Sequence, residues 1–125
     1  MTTDLKHGDL SGQIIGVAME VLNHLKPGQD EKIYERALEV ELGLRGIAVN
    51  RQQQFPITYK GHPIGTFIPD MIVGGLIIAD PKVVTAFNET HLAQMLGYLA
   101  ITRLDVALLL NFKYAKLEWK RVVAP

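Results

Sequence analysis

Asp70, Asp80 and Lys82 are the residues of this chain whose types and spacing most directly suggest chemistry. Asp80 and Lys82 lie two apart at the end of an apolar run, and in an extended chain the side chains of i and i+2 project to the same face. A carboxylate beside an ammonium, with a second carboxylate from Asp70 at the head of the same stretch, makes a candidate site for a metal ion and a water. The alternative is plain structure, because Asp-Pro often begins a turn and a lysine two residues after an aspartate is common.

The elements that must position these groups follow from periodicity. Leu10, Ile14, Val17, Ala18, Val21, Leu22 and Leu25 recur at three and four, predicting a first helix capped by Asp9 or Ser11 and stopped by Pro27-Gly28. A second helix is predicted from about Asp30 to Arg45, ended by Gly46. Glu31 falls in its first turn, where the helix dipole favours a carboxylate, and Tyr34 is expected as a half-buried aromatic on the same side.

The period then shortens. Ile47, Val49, Phe55, Ile57 and Tyr59 alternate with polar residues, predicting one strand interrupted near Gln53 to Pro56. Lys60-Gly61 is a hairpin turn, and Pro63 to Ile68 is the returning strand, carried on through Met71 to Val73 toward a Gly74-Gly75 turn. Leu76 to Ala79 is apolar throughout, as a strand covered on both faces should be, and it delivers Asp80. A third helix is predicted from Asn88 to Thr90 as far as about Thr102, with Leu92, Met95, Leu96 and Leu99 as its apolar stripe and His91, Gln94 and Tyr98 as a polar row beside it. Asp105 to Asn111 gives a fourth strand, and Leu117 to Val122 an edge strand. The order ααβββαββ describes an α/β sandwich around a mixed sheet, in one domain spanning residues 1–125.

Composition bounds the chemistry further. Without cysteine there is no disulfide and no thiolate metal site, so any metal must be held by oxygen or imidazole. Thirteen basic and thirteen acidic residues cancel, so contact with a polyanion needs a local basic patch rather than a global field. The N-terminal residues carry no apolar core of signal-peptide length, and the longest apolar runs, such as Val106 to Leu110, are too short to span a bilayer. A cytoplasmic protein with no membrane partner is expected.

Gly28, Glu31 and Tyr34 fit the pattern for which the GxxExxY family is named, and the chain resembles that family almost to its C-terminus. The matching pieces are Gly65 to Asp70, Asp80-Pro81-Lys82 and Gln94 to Tyr98, which also look like the GxxxPD, (D/E)xK and QxxxY motifs of RecB-type nucleases within the PD-(D/E)xK superfamily. The position of His91 and the strand ending at Asn111 and Phe112 agree. The resemblance implies a restriction-endonuclease-like core, a mixed β-sheet flanked by helices. It also implies a metal-dependent phosphodiesterase acting on DNA or RNA, with Mg²⁺ or Mn²⁺ held by Asp70, Asp80 and the carbonyl of Pro81. Lys82 would orient or help deprotonate the attacking water, Glu31 would add a carboxylate, and Gln94 and Tyr98 would position nucleic acid or brace the site, with His91 and Tyr34 supporting.

Two features depart from that pattern. Asp80 stands where family members more often carry Glu, which shortens the carboxylate arm by one methylene. Pro81 removes an amide from a strand expected to be central, which predicts a local bulge, yet it keeps the carbonyl that would serve as a ligand. With the cancelled net charge, these leave a second reading open, a catalytically weak or inactive nuclease-fold module for binding or assembly. The edge strand from Leu117 also leaves a homodimer as an expectation.

Overall fold

The computed structural model describes residues 6–125, so the reading of residues 1–5 lies outside it. Two helices come first, α1 (Gly8–Leu25) and α2 (Glu31–Leu44). α1 begins ahead of the expected caps. His7, in the left-handed region at φ 53°, precedes it without a side-chain cap, and Ser11 is buried inside the helix. The early start serves packing, since Leu10 Cδ2 lies 3.0 Å from where a Cβ on Gly74 would stand. Lys26 at φ 66° ends α1 just before Pro27, and Asp30 and Arg45 flank α2. Among the described residues, no helix is long and apolar enough to cross a membrane.

The main sheet holds five strands in the order β1 (Val49–Asn50), β4 (Met71–Val73), β5 (Ile77–Lys82), β6 (Val106–Asn111) and β7 (Glu118–Val123). All neighbours are antiparallel except β5 and β6, which run parallel across the crossover helix α3 (Glu89–Thr102). Residue parity sorts the core. Met71, Val73, Ile77, Ala79, Val106, Leu108 and Leu110 pack against α1 and α2, whereas Ile72, Ile78, Ala107, Leu109 and Val122 pack against Met95 and Leu99 of α3. A central strand covered on both faces is therefore found at β5, between helical layers.

The expected three-strand meander is corrected. β2 (Phe55–Tyr59) and β3 (His62–Phe67) form a separate two-stranded sheet. Val49 pairs with Val73 and Phe55 with Phe67, so six residues on one arm match six on the other. β1–β4 and β2–β3 are thus one hairpin that keeps one register from Val49 opposite Val73 to Ile57 opposite Gly65, broken in the middle, and shifts by one residue between Ile57 and Thr58 near its tip. The physical cause on the return arm lies in two prolines. The hydrogen bond from the Phe112 amide to the Lys82 carbonyl turns the backbone groups of Lys82 toward β6, so by alternation those of Ala79 and Pro81 face β4. Met71 pairs with Ala79, and the next hydrogen-bonded pair in that register is Pro69 with Pro81. Neither proline has an amide to donate, so the ladder stops and the chain leaves the sheet. The ribbon turns at Lys60-Gly61, both at positive φ, as the sequence predicted.

The bulge expected at Pro81 is absent. β5 pairs with β6 without a shift from Ile77 opposite Val106 to Lys82 opposite Asn111. Because the missing amide faces the open side beyond the end of β4, proline costs the β5–β6 ladder nothing and needs no bulge.

Candidate active site

The ladder that ends at Met71 and Ala79 places Asp70 one step further on, opposite Asp80. Directly opposed residues share a face, and the parity that sends Ile78 toward α3 sends Asp80 and Lys82 there too. α3 answers with Gln94 and Tyr98, four residues apart on one helical face. The outcome is a cleft of about 110 Å³ lined by Phe67, Ile68, Pro69, Asp70, Ile78, Asp80, Lys82, Gln94 and Tyr98. At ~30 Å³ per water, that is room for an ion and two or three waters.

Within the cleft, Lys82 Nζ stands 3.4 Å from Asp80 Oδ1 and 3.4 Å from Gln94 Oε1. The contact with Gln94 is a long hydrogen bond. The contact with Asp80 is an ion pair without hydrogen-bond alignment, and Asp80 Oδ1 is buried with no hydrogen-bond partner. Burial pushes the Asp80 carboxyl up to about 6, with Lys82 opposing and the charges of Asp70 and Glu31 reinforcing the rise. Tyr98 is raised as well, by loss of water and then by Asp80 and Asp70. Its ring stacks on Phe67 with centroids 4.1 Å apart, which ties α3 to the base of the β2–β3 ribbon.

Glu31 lies outside the residues lining the cleft but within its field. Its carboxyl is raised chiefly by partial desolvation, lowered by Lys82 and raised by Asp70. Among the described residues, no three His, Asp or Glu side chains form a ready-made metal cage. The oxygen set offered by this chain is therefore Asp70, Asp80 and the Pro81 carbonyl, which faces the open side of β5. A buried carboxylate oxygen without a hydrogen bond, in an oxygen-only donor set, suits a hard divalent cation.

Tyr34 is corrected from half-buried to fully buried, and it lies behind the cleft rather than in it. Its hydroxyl donates to the Lys26 carbonyl at 2.6 Å and accepts from the Gln29 amide at 3.1 Å, pinning the loop that leads into Glu31. Its ring stacks on Phe112 at 4.7 Å and 7°, and the Phe112 amide holds the Lys82 carbonyl at 2.9 Å. Tyr34 thus links the start of α2 to the end of β5. His91 is not among the cleft residues either. Its Nδ1 accepts from the Asn88 amide at 3.2 Å while Asn88 Oδ1 accepts from the His91 amide at 3.0 Å, a reciprocal cap at the start of α3.

Two positioning residues carried too little sequence signal to be assigned a role. Asn111 is fully buried opposite Lys82, and its amide exchanges hydrogen bonds with the Val84 amide at 3.1 Å and the Val84 carbonyl at 2.8 Å, fixing the chain as it leaves β5. Glu35 is buried on α2 and pairs with Arg51, which also binds Glu39 at 2.9 Å, tying α2 to the segment after β1.

A family model described as the PD-(D/E)XK nuclease superfamily matches residues 8–122. No curated protein and no solved structure matches the chain significantly. The matched span takes in Asp70, Asp80, Lys82, Gln94 and Tyr98 and the strands and helix that carry them: the chain belongs to the PD-(D/E)XK nuclease superfamily.

Proposed function

We propose that this protein is a divalent-metal-dependent nuclease that hydrolyses phosphodiester bonds of DNA or RNA with Mg²⁺ or Mn²⁺, and that its Gly28, Glu31 and Tyr34 place it in the GxxExxY branch of the superfamily. The observation that carries the reading is the buried Asp80 Oδ1, ion-paired with Lys82 but without a hydrogen bond, in a cleft that also gathers Asp70 and Gln94. Asp70, Asp80 and the Pro81 carbonyl would hold the ion. Bound there, a divalent cation supplies Lewis acidity toward a phosphate oxygen and lowers the pKa of a nearby water. Lys82, steadied by Gln94, holds the attacking water and takes part in moving its proton. Tyr98, braced by Phe67, closes the side of the cleft next to α3 and keeps bulk water from it. Glu31 adds negative field at the α2 side, which draws the cation in and drives a stray carboxylate out.

Incubation of labelled DNA and RNA with the protein in Mg²⁺ or Mn²⁺ tests the proposal, with Lys82→Ala and Asp70→Ala as comparisons. Metal-dependent cleavage lost in both variants supports it. Equal cleavage by wild type and Lys82→Ala, or none across substrates and metals, overturns it. Metal binding that depends on Asp70 without any turnover would instead identify a binding module on a nuclease fold.

A further inference from the structure

The chain has no global charge to attract a polyanion, so a nuclease built on it must collect its substrate locally. From Leu42 to Pro69 there is no acidic residue, although acidic and basic residues balance over the whole chain. That stretch contains the β2–β3 ribbon, whose tip carries Tyr59, 61% exposed, and Lys60, with its Nζ 5.4 Å from the centre of the Tyr59 ring. Between the ribbon and the last turn of α3 is a second cleft of about 490 Å³, lined by Pro56, Ile57, Thr58, Ala100, Ile101 and Arg103. Gln94, Tyr98 and Ile101 fall at i, i+4 and i+7, so both clefts lie along one face of α3. The Phe67–Tyr98 stack forms the joint between them.

We infer that the ribbon and this face of α3 form a single-strand track, which receives a segment of unpaired DNA or RNA and leads it to the Asp70–Asp80 cleft. Lys60, whose ammonium rests over the Tyr59 ring, and Arg103 have no carboxylate partner among the ion pairs of the described residues and can meet phosphates. Asp105, the acid nearest Arg103 in sequence, is already engaged by Lys6 at 3.7 Å and by His7. Tyr59 offers an exposed aromatic face on which a base can stack, and cation plus stacking platform is the chemistry that holds unpaired strands without sequence choice. From Phe67 to His62 the ribbon spans five residue steps, ~17 Å at ~3.4 Å per step. That is about five stacked nucleotides at ~3.4 Å each. A strand seated this way reaches from the tip to the cleft.

The inference rests on the nuclease reading and is tested so that the two fail separately. Lys60 and Arg103 both sit at positive φ, 49° and 61°, so asparagine rather than alanine replaces them without backbone strain. Binding of a fluorescent 15-nucleotide strand, dT or rU, and of a duplex of equal length is followed by anisotropy in CaCl₂. Thermal melting with and without MnCl₂ checks folding and the metal cleft in each variant. Tyr59→Ala is expected to weaken strand binding roughly 5- to 100-fold. The double variant Lys60→Asn/Arg103→Asn is expected to lower the slope of log affinity against log salt by about 1.4, two contacts at ~0.7 each. Wild-type protein that ignores the strand, prefers the duplex, or binds as well after these changes overturns the track. A track that behaves as expected in a protein that never cleaves leaves the track standing and removes the nuclease reading. Cleavage of long strands with unchanged KM when Tyr59→Ala, Lys60→Asn and Arg103→Asn are combined does the reverse.

Discussion

The Lys82 ammonium stands 3.4 Å from Asp80 Oδ1, and that oxygen nevertheless has no hydrogen bond. The pair is close enough to attract and too poorly aligned to satisfy a buried carboxylate, so the charge of Asp80 is only partly compensated within the fold. Asp80 shows this as a carboxyl displaced from 3.8 to about 6.

Metal-free stability should therefore carry a signature of Asp80. Its folded pKa lies above its unfolded value, so the penalty is absent below about pH 4, grows between about 4 and 6, and is complete above 6. Asp80→Asn removes it. In chelator at pH 7.5 the variant should be more stable than wild type by ~2–3 kcal/mol, and at pH 4 the two should agree. Chemical denaturation at both pH values measures this; a variant less stable at pH 7.5 would show that the carboxylate is not penalised.

Cation binding should reverse that order. Mn²⁺ or Mg²⁺ stabilises the native state by mass action, ~2.7 kcal/mol at a hundred times the Kd, so wild-type Tm should rise with metal while Asp80→Asn and Asp70→Asn barely respond. Near pH 6 uptake should release protons from Asp80, which calorimetry in two buffers of different ionisation enthalpy detects. Binding with no proton release at pH 6 would place the ion elsewhere.

Lys82→Met keeps the apolar stem and deletes the ammonium. Single-turnover cleavage should fall by ~10²–10⁴, the usual contribution of a group that handles a proton, with metal affinity retained. Gln94→Ala should lose less, since it acts only by steadying Lys82. A larger loss in Gln94→Ala than in Lys82→Met would reverse these roles.

Tyr34→Phe retains the stack on Phe112 and loses both hydroxyl contacts. Stability should drop by about 1–2 kcal/mol, and the Gln29 amide should exchange with solvent markedly faster. Unchanged exchange at Gln29 would mean that the loop before Glu31 is held by something other than Tyr34.

The helices were legible because each buries one stripe, and the 3.6-residue period survives in the order of apolar residues. Asp80 and Lys82 were legible as neighbours for a similar reason, since strand parity is local. The breaking of the hairpin into two sheets was not, although its cause was in plain view. Pro69 and Pro81 matter only because they oppose each other, and that opposition depends on the β4–β5 register. The depth of Tyr34 was hidden for the same reason. Its burial comes from Phe112, a partner 78 positions away that no window on the sequence contains. Asn111 looked like the polar end of a strand, and its task of clamping Val84 appears only when the crossover brings the two together.

Pro81 also guards the open side of β5. Past the end of β4, an unpaired strand margin would ordinarily offer alternating donors and acceptors, a template on which a foreign strand could zip. Here the first position without a β4 partner, buried Pro81, presents an acceptor alone, and the facing arm offers another proline, Pro69. Sheet extension is blocked beside the Asp70–Asp80 cleft, so one residue keeps the margin safe from misassembly while retaining the carbonyl that the proposed metal site would use.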